Sequence, residues 1–208
     1  AGTMNFANTP LHICDGSGFT VVPEGDEVLD NDDVLEFVLH TDAGAQLGTV
    51  IAISLSSTFG FPAGIILGQT YYVSAVAGTN NGSGNVDLND PCLSVSQGVP
   101  VIFYVPTSTI SPGGTICQDD CFDFQVQFTG FAPYNLMYAV NTGANVFNLS
   151  LSSNNNTSTF SICPADYGIT NGQIQIYPTN LTDFNCSFDY SAPPIQTITV
   201  HPNSVNNL

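Results

Sequence analysis

Seven acidic side chains, Glu24, Asp26, Glu27, Asp30, Asp32, Asp33 and Glu36, fall within thirteen residues of this chain. Oxygen-rich runs of this kind suit Ca²⁺, which takes about six to eight oxygen ligands in a flexible shell. Asp26, Glu27, Asp30, Asp32 and Asp33 form the candidate calcium set. Asp30-x-Asp32 begins like an EF-hand loop, but the Gly and Glu that such a loop needs downstream are missing, so a solvated acidic loop is the other reading. Two lesser clusters, Asp119, Asp120 and Asp123, and Asn85, Asp87, Asn89 and Asp90, sit in expected turns. There Asp and Asn commonly bond the local backbone. His12, His40 and His201 are dispersed and lack Cys or His neighbours at zinc spacing. Glycosidase chemistry needs two carboxylates in opposed environments, and the chain has no tryptophan to hold a sugar. Phe59, Phe61, Tyr71 and Tyr72 are the weak candidates for an aromatic ligand shelf, with adjacent Tyr71 and Tyr72 expected on opposite faces of a strand. No nucleophile and base come together, and no catalysis is expected.

The 208 residues include no lysine and no arginine against 17 Asp and Glu, a formal charge of −17. An average domain is about 25% charged with both signs mixed, whereas this one is 8% charged and entirely acidic apart from its histidines. Affinity for a polyanion comes mainly from neutralising phosphates, so nucleic-acid binding is excluded. So are P-loops, lysine Schiff bases, arginine clamps and Lys–Asn isopeptide cross-links, and docking on an anionic membrane through a polybasic patch. A protease specific for Lys or Arg finds no bond to cut, which suits life outside the cell. No apolar run is long enough to span a bilayer, and no direct membrane insertion is expected. Ala1-Gly2-Thr3 is neither a charged n-region nor followed by an apolar core, so any signal peptide is expected to lie upstream or to have been removed.

The elements that must position these side chains are strands. Runs rich in Val, Ile, Phe, Tyr and Thr, separated by Gly, Pro, Asn and Asp, are expected over 19–22, 34–41, 48–56, 70–77 and 99–105, and then over 121–129, 134–140, 146–151, 157–163, 172–177 and 195–200. No stretch sustains helical periodicity. In the run from Cys121 to Thr129 the alternation of Phe124, Val126 and Phe128 with Gln125, Gln127 and Thr129 buries one face and wets the other. The spacing predicts an all-β chain of β-sandwiches. Pro106 to Gly114, PTSTISPGG, reads as a linker, which divides the chain into domains 1–106 and 107–208. One larger domain with this segment as a loop is the alternative.

Six cysteines, an even number, read as disulfides in an oxidising compartment. With that boundary Cys14 must pair with Cys92. Cys117, Cys121, Cys163 and Cys186 allow three connectivities, of which Cys117–Cys186 with Cys121–Cys163 is favoured because long loops gain more from closure. Asn-x-Ser/Thr sequons occur at Asn81, Asn148, Asn155, Asn156, Asn180 and Asn185.

The opening AGT, Cys14 soon after it, QTYYVSAVAG at 69–78, NGSGNVDLNDPCLSVSQGVPVIFY at 81–104, TICQDDCFDFQVQFTG and NLTDFNCS resemble the repeat modules of giant secreted surface proteins of Bacteroidota, the gliding and adhesin group. The resemblance implies tandem Ig-like sandwiches, export to the cell surface and no activity. The expected function is an extracellular structural or adhesive unit of a surface array or filament. Its expected partners are copies of itself or neighbouring repeats, joined by strand exchange at sheet edges. The alternative is a carbohydrate-binding module whose partners are surface glycans. No cofactor beyond the candidate calcium is expected.

Overall fold

A computed structural model describes residues 1–203. The chain forms two compact units, Ala1–Tyr104 and Val105–Leu208. In the first, the strands are β1 (Leu11–Cys14), β2 (Phe19–Thr20), β3 (Asp33–His40), β4 (Val50–Ser54), β5 (Thr58–Phe59), β6 (Thr70–Thr79), β7 (Ser94–Val95) and β8 (Val99–Tyr104). The larger sheet runs β1-β8-β6-β3-β4, with β7 added to β6. Its β1–β8 pair is parallel and its other pairs are antiparallel. Facing it, β2 pairs with β5, and this small sheet is extended by a bridge between Met4 and Pro23. Phe19, Phe59, Phe37, Leu39, Tyr71 and Phe103 fill the space between the sheets.

In the second unit the strands are β9 (Thr107–Ile110), β10 (Thr115–Cys117), β11 (Phe122–Thr129), β12 (Tyr134–Asn141), β13 (Val146–Ser153), β14 (Thr157–Ile162), β15 (Gly172–Thr182), β16 (Ser187–Asp189) and β17 (Gln196–His201). The larger sheet runs β10-β17-β15-β12-β13, with β16 on β15, and the smaller runs β14-β11-β9. β10 and β17 are parallel. Phe124, Val126 and Phe128 of β11 meet Leu136, Tyr138, Ile174 and Ile176 in the core. Gln125, Gln127 and Thr129 face out, as the period-two alternation requires.

The segment expected to be a linker is structural. Thr107–Ile110 forms β9, which pairs with β11, and Ser108 and Ile110 are buried while Thr107 and Thr109 are exposed. Pro112-Gly113-Gly114 then carries the chain from the smaller sheet to β10 in the larger one. At Gly113 a Cβ would lie 1.9 Å from the carbonyl oxygen of Thr197, so only glycine allows the backbone this approach. A turn-like composition here marks a change of sheet within one unit, a distinction that depends on strand pairing distant in sequence.

Two of the expected disulfides are not formed. Cys121–Cys163 is bonded, but Cys92 and Cys117 are exposed free thiols. The register explains both failures. Cys14 stands beside Tyr104, next to the Thr70 end of β6, while Cys92 precedes β7, which pairs near the opposite end of β6. Likewise Cys117 stands beside His201 at the Gly172 end of β15, and Cys186 precedes β16 at the Thr182 end. In each case about ten strand residues intervene, on the order of 30 Å at ~3.3 Å per residue, whereas a bridge needs Cα atoms within about 7 Å.

Candidate functional site

The acidic run from Glu24 to Asp33 is strung along the surface and does not gather into a cage. Among the described residues no three His, Cys, Asp or Glu side chains form a group able to hold a metal ion. Asp26 is already engaged: its carboxylate accepts hydrogen bonds from the Thr3 N–H at 2.6 Å and the Thr3 hydroxyl at 2.8 Å. Those bonds, the backbone one foremost, hold its pKa below the usual carboxylate range. Asp30 and Asp33 share a turn in which the Asp33 N–H donates to the Asp30 carbonyl at 3.3 Å. The charge of Asp33 raises the Asp30 pKa. Asp26 thus fastens the first residues to the loop before β3, Asp30 shares a turn with Asp33, and among the described residues the set Asp26, Glu27, Asp30, Asp32 and Asp33 is not gathered into one group.

The proposed aromatic shelf is also divided by the fold. Phe59 is buried and stacks on Phe19 with ring centroids 5.2 Å apart. Tyr71 is buried, and its hydroxyl accepts the Ile66 N–H at 2.8 Å. Phe61 is 38% exposed, with its ring edge-on to Phe103 at 5.6 Å. Tyr72 points to the other face of the sheet, beside His40 at 6.3 Å. Three of the four rings contribute to or touch the core and the fourth lies across the sheet, so no continuous platform exists.

The structure instead assembles polar groups on the outer face of the larger sheet in the first unit. Leu35, Phe37 and Leu39 point from β3 toward the core. Glu36, Val38 and His40 point away from it, yet they too are buried. The reason is the long connection after β6, which lays Val86, Leu88, Leu93 and Val95 over Val38 and Val76 as a second small core. Asx turns fix its shape. Asn80 Oδ1 accepts the N–H groups of Gly82 and Gly84, Asp87 Oδ1 that of Asn89, and Asp90 those of Thr79 and Cys92. The expected turn role of Asn85, Asp87, Asn89 and Asp90 is thus seen directly for Asp87 and Asp90. Of the other lesser cluster, Asp123 accepts from the Ser161 hydroxyl and Asp119 from the Asn203 amide.

Under this cover His40 Nε2 lies 3.0 Å from the Ser74 hydroxyl, which donates to the Ser96 carbonyl at 2.9 Å. With Ser74 donating onward, His40 must supply the proton at Nε2. His40 Nδ1 is then a buried acceptor with no hydrogen-bond partner. Burial lowers the His40 pKa against the opposing pull of Asp42. Glu36 is 0% exposed, and neither carboxylate oxygen has a hydrogen-bond partner. Desolvation raises its pKa. The nearby Val86 N–H tempers that rise without completing a hydrogen bond. Glu36 lines a cavity of about 410 Å³ together with Ile53, Leu55, Asn85, Asp87 and Leu88.

Sequence reasoning counted Glu36 as the last member of the acidic run, within the strand expected over 34–41, and missed this environment. The signal was present: Glu36 interrupts Val34-Leu35 and Phe37-Val38-Leu39, an apolar run without alternation. Such a run marks a strand buried on both faces.

No protein-family model matches the chain, and no curated protein does. Among solved structures it is similar to a chain from a study of host cell surface retention of a 1.5-MDa bacterial ice-binding adhesin, at a TM-score of 0.40 and 11% sequence identity. The match covers 97% of this chain and 64% of that one, less than two thirds of its length. At this level the similarity transfers neither fold identity nor function.

Proposed function

We propose that this chain is an extracellular structural and adhesive module, two Ig-like sandwiches in series, that serves as a repeating unit of a cell-surface array or filament and catalyses no reaction. The observation that carries this reading is the repetition of one plan. Each unit has a five-strand sheet in which the first strand runs parallel to the last, the last lies beside a long central strand, and a short extra strand is added to that central strand. Two sheets packed face to face over a core of inward side chains agree with the general plan of Ig-like sandwiches. The absence of Lys and Arg and the buried His40–Ser74 pair of the first unit serve architecture on this reading. His40 and Ser74, the nearest approach to a base and nucleophile, are both buried and committed to the overlying loop. The Cys121–Cys163 bond fits an oxidising compartment. No helix among the described residues is long and apolar enough to cross a membrane.

Edge strands β4 and β13 end the two larger sheets, and such edges are templates for pairing with a neighbour. Negative-stain electron microscopy of the purified protein, paired with sedimentation analysis over a range of concentrations, tests the reading. Ordered arrays or end-to-end oligomers are expected. A protein that stays monomeric at every concentration, alone and with neighbouring repeats of its parent polypeptide, would refute it.

A second reading, a carbohydrate-binding module, has one observation in its favour. The outer face of the β14-β11-β9 sheet holds an open depression of about 560 Å³ lined by Thr109, Ser111, Gln125, Gln127, Thr157 and Thr159. These amides and hydroxyls can meet sugar hydroxyls, although no aromatic ring lines the depression. A glycan array probed with the native protein and with Gln125→Ala/Gln127→Ala would reveal this activity as binding lost in the variant.

A further inference from the structure

We propose that the cavity beside Glu36 receives a basic side chain, arginine or lysine, of a partner protein. The inference does not depend on the module being part of a filament. It begins with an imbalance: a carboxylate that is 0% exposed has both oxygens without hydrogen-bond partners. Burying a charge without a partner is costly, and buried carboxylates are normally paired or bonded. In most proteins a nearby Lys or Arg would settle the account. Here no residue of the chain can do so, because it contains neither.

The same composition narrows the occupant. A second copy of this chain has no lysine or arginine to offer, only histidines that are largely neutral at pH 7, so a permanent side-chain cation must come from a different molecule. A metal ion fits poorly, since no three His, Cys, Asp or Glu side chains converge among the described residues, and Ile53, Leu55, Val86 and Leu88 give the cavity apolar walls. Those walls suit an alkyl stem, and the carboxylate beyond them suits its charged head. A guanidinium fork would engage both free oxygens of Glu36 at once, and an ammonium would engage one or both as a point charge. Asp87, also on the cavity wall, adds negative potential to guide a cation inward. The approach is open on the side of β4, the edge strand of its sheet, where Ile53 is 48% and Leu55 67% exposed. Asn85, Asp87 and Leu88 of the connection after β6 form the opposite wall of the cavity.

The experiment uses the full chain labelled with ¹⁵N, with n-butylguanidinium and n-butylammonium as probes, butanol and CaCl₂ as comparators, and ionic strength held constant. Both organic cations are expected to shift the amide resonances of Glu36 and of residues 81–89, and butanol is expected to leave them in place. Glu36→Gln, which keeps the shape and removes the charge, is expected to weaken the cations at least about tenfold. Leu55→Ala alters an exposed position and so preserves the fold. It is expected to weaken the butyl probes several-fold. The proposal is overturned if neither organic cation shifts these resonances, if Glu36→Gln binds as well as the parent, or if CaCl₂ shifts the same residues at lower concentration than the organic cations do. Should Glu36→Gln fail to fold, the resonance map decides as above, and Leu55→Ala binding the butyl probes as tightly as the parent overturns the proposal.

Discussion

In the first unit the connection between β6 and β8 folds over the outer face of the larger sheet, while in the second unit the corresponding connection between β15 and β17 turns toward the smaller sheet. There the Tyr190 hydroxyl bonds the N–H and hydroxyl of Ser108 on β9, each at 2.8 Å, and Phe184 is left 71% exposed. The two choices have opposite consequences for polar groups. On β3 every residue from Glu36 to His40 is buried, with the charge and the imidazole trapped under Val86 and its neighbours. On β12 and β15 the outward Met137, Gln175, Tyr177 and Thr179 remain only partly buried. The smaller sheets differ in the reverse sense. It is three-stranded in the second unit but reduced in the first to two-residue strands and a bridge. One strand plan can therefore place its extra packing on either side, and only the unit that covers its larger sheet acquires buried ionisable groups there.

Removing the bond between Cys121 and Cys163, as in Cys121→Ser/Cys163→Ser, should produce the largest change. Their sequence separation is 42, and closure of a loop of that size is worth about 4 kcal/mol on the chain-entropy estimate. Hydrogen exchange should localise the lost protection to β11 and β14, and equal loss in the first unit would break the comparison. Mass spectrometry after alkylation of the unreduced protein should label Cys92 and Cys117 and leave Cys121 and Cys163 untouched.

The covering loop is tested by a matched pair. Val86→Ala should cost about 2 kcal/mol in urea denaturation, because Val86 is 4% exposed and packs on Val38 and Val76. Phe184→Ser should stay within about 0.5 kcal/mol, as expected for an exposed position. Equal effects would show that the two connections do the same work.

Smaller and dependent on pH is the effect of Glu36→Gln. A carboxyl whose folded-state pKa is raised contributes stability below its unfolded pKa and loses it as pH climbs through the folded value. The variant should therefore match the parent at acid pH and exceed it by about 1–2 kcal/mol above neutrality. His40 has the opposite sign. Its lowered pKa contributes stability above the unfolded value, lost as pH falls below about 6.5. His40→Gln should flatten that acid limb of the melting profile, and an unchanged limb would place the titration elsewhere.

The smallest expected effect is that of calcium. Melts in EDTA and in millimolar Ca²⁺ at fixed ionic strength should coincide, because Asp26 is clamped to Thr3 and among the described residues no three acidic groups converge. A rise with Ca²⁺ would restore the acidic run as a metal site.

Much of the strand set was legible from local pattern. The runs at 34–41, 70–77, 121–129 and 157–163 correspond to β3, β6, β11 and β14, with ends displaced by a few residues. These strands announce themselves through β-branched and aromatic residues. Short strands such as β1, β9 and β10 do not, since Leu11–Cys14, Thr107–Ile110 and Thr115–Cys117 carry polar or turn-like residues and are strands only because a partner accepts them. The cysteine partition failed for the same reason: it knew the order of the cysteines and not which end of β6 or β15 each would reach.

What the sequence alone determined was compositional and local: an acidic all-β chain without Lys or Arg, and the alternation of β11. These depend on residue type and on neighbours two positions away. The tertiary structure decided which strands paired in parallel, which cysteines met, and that Glu36 lines a cavity beside β4 rather than the acidic loop preceding it. Those outcomes turn on contacts between residues tens of positions apart, such as Val86 over Val38, and a linear pattern of side chains carries no distance across such a gap.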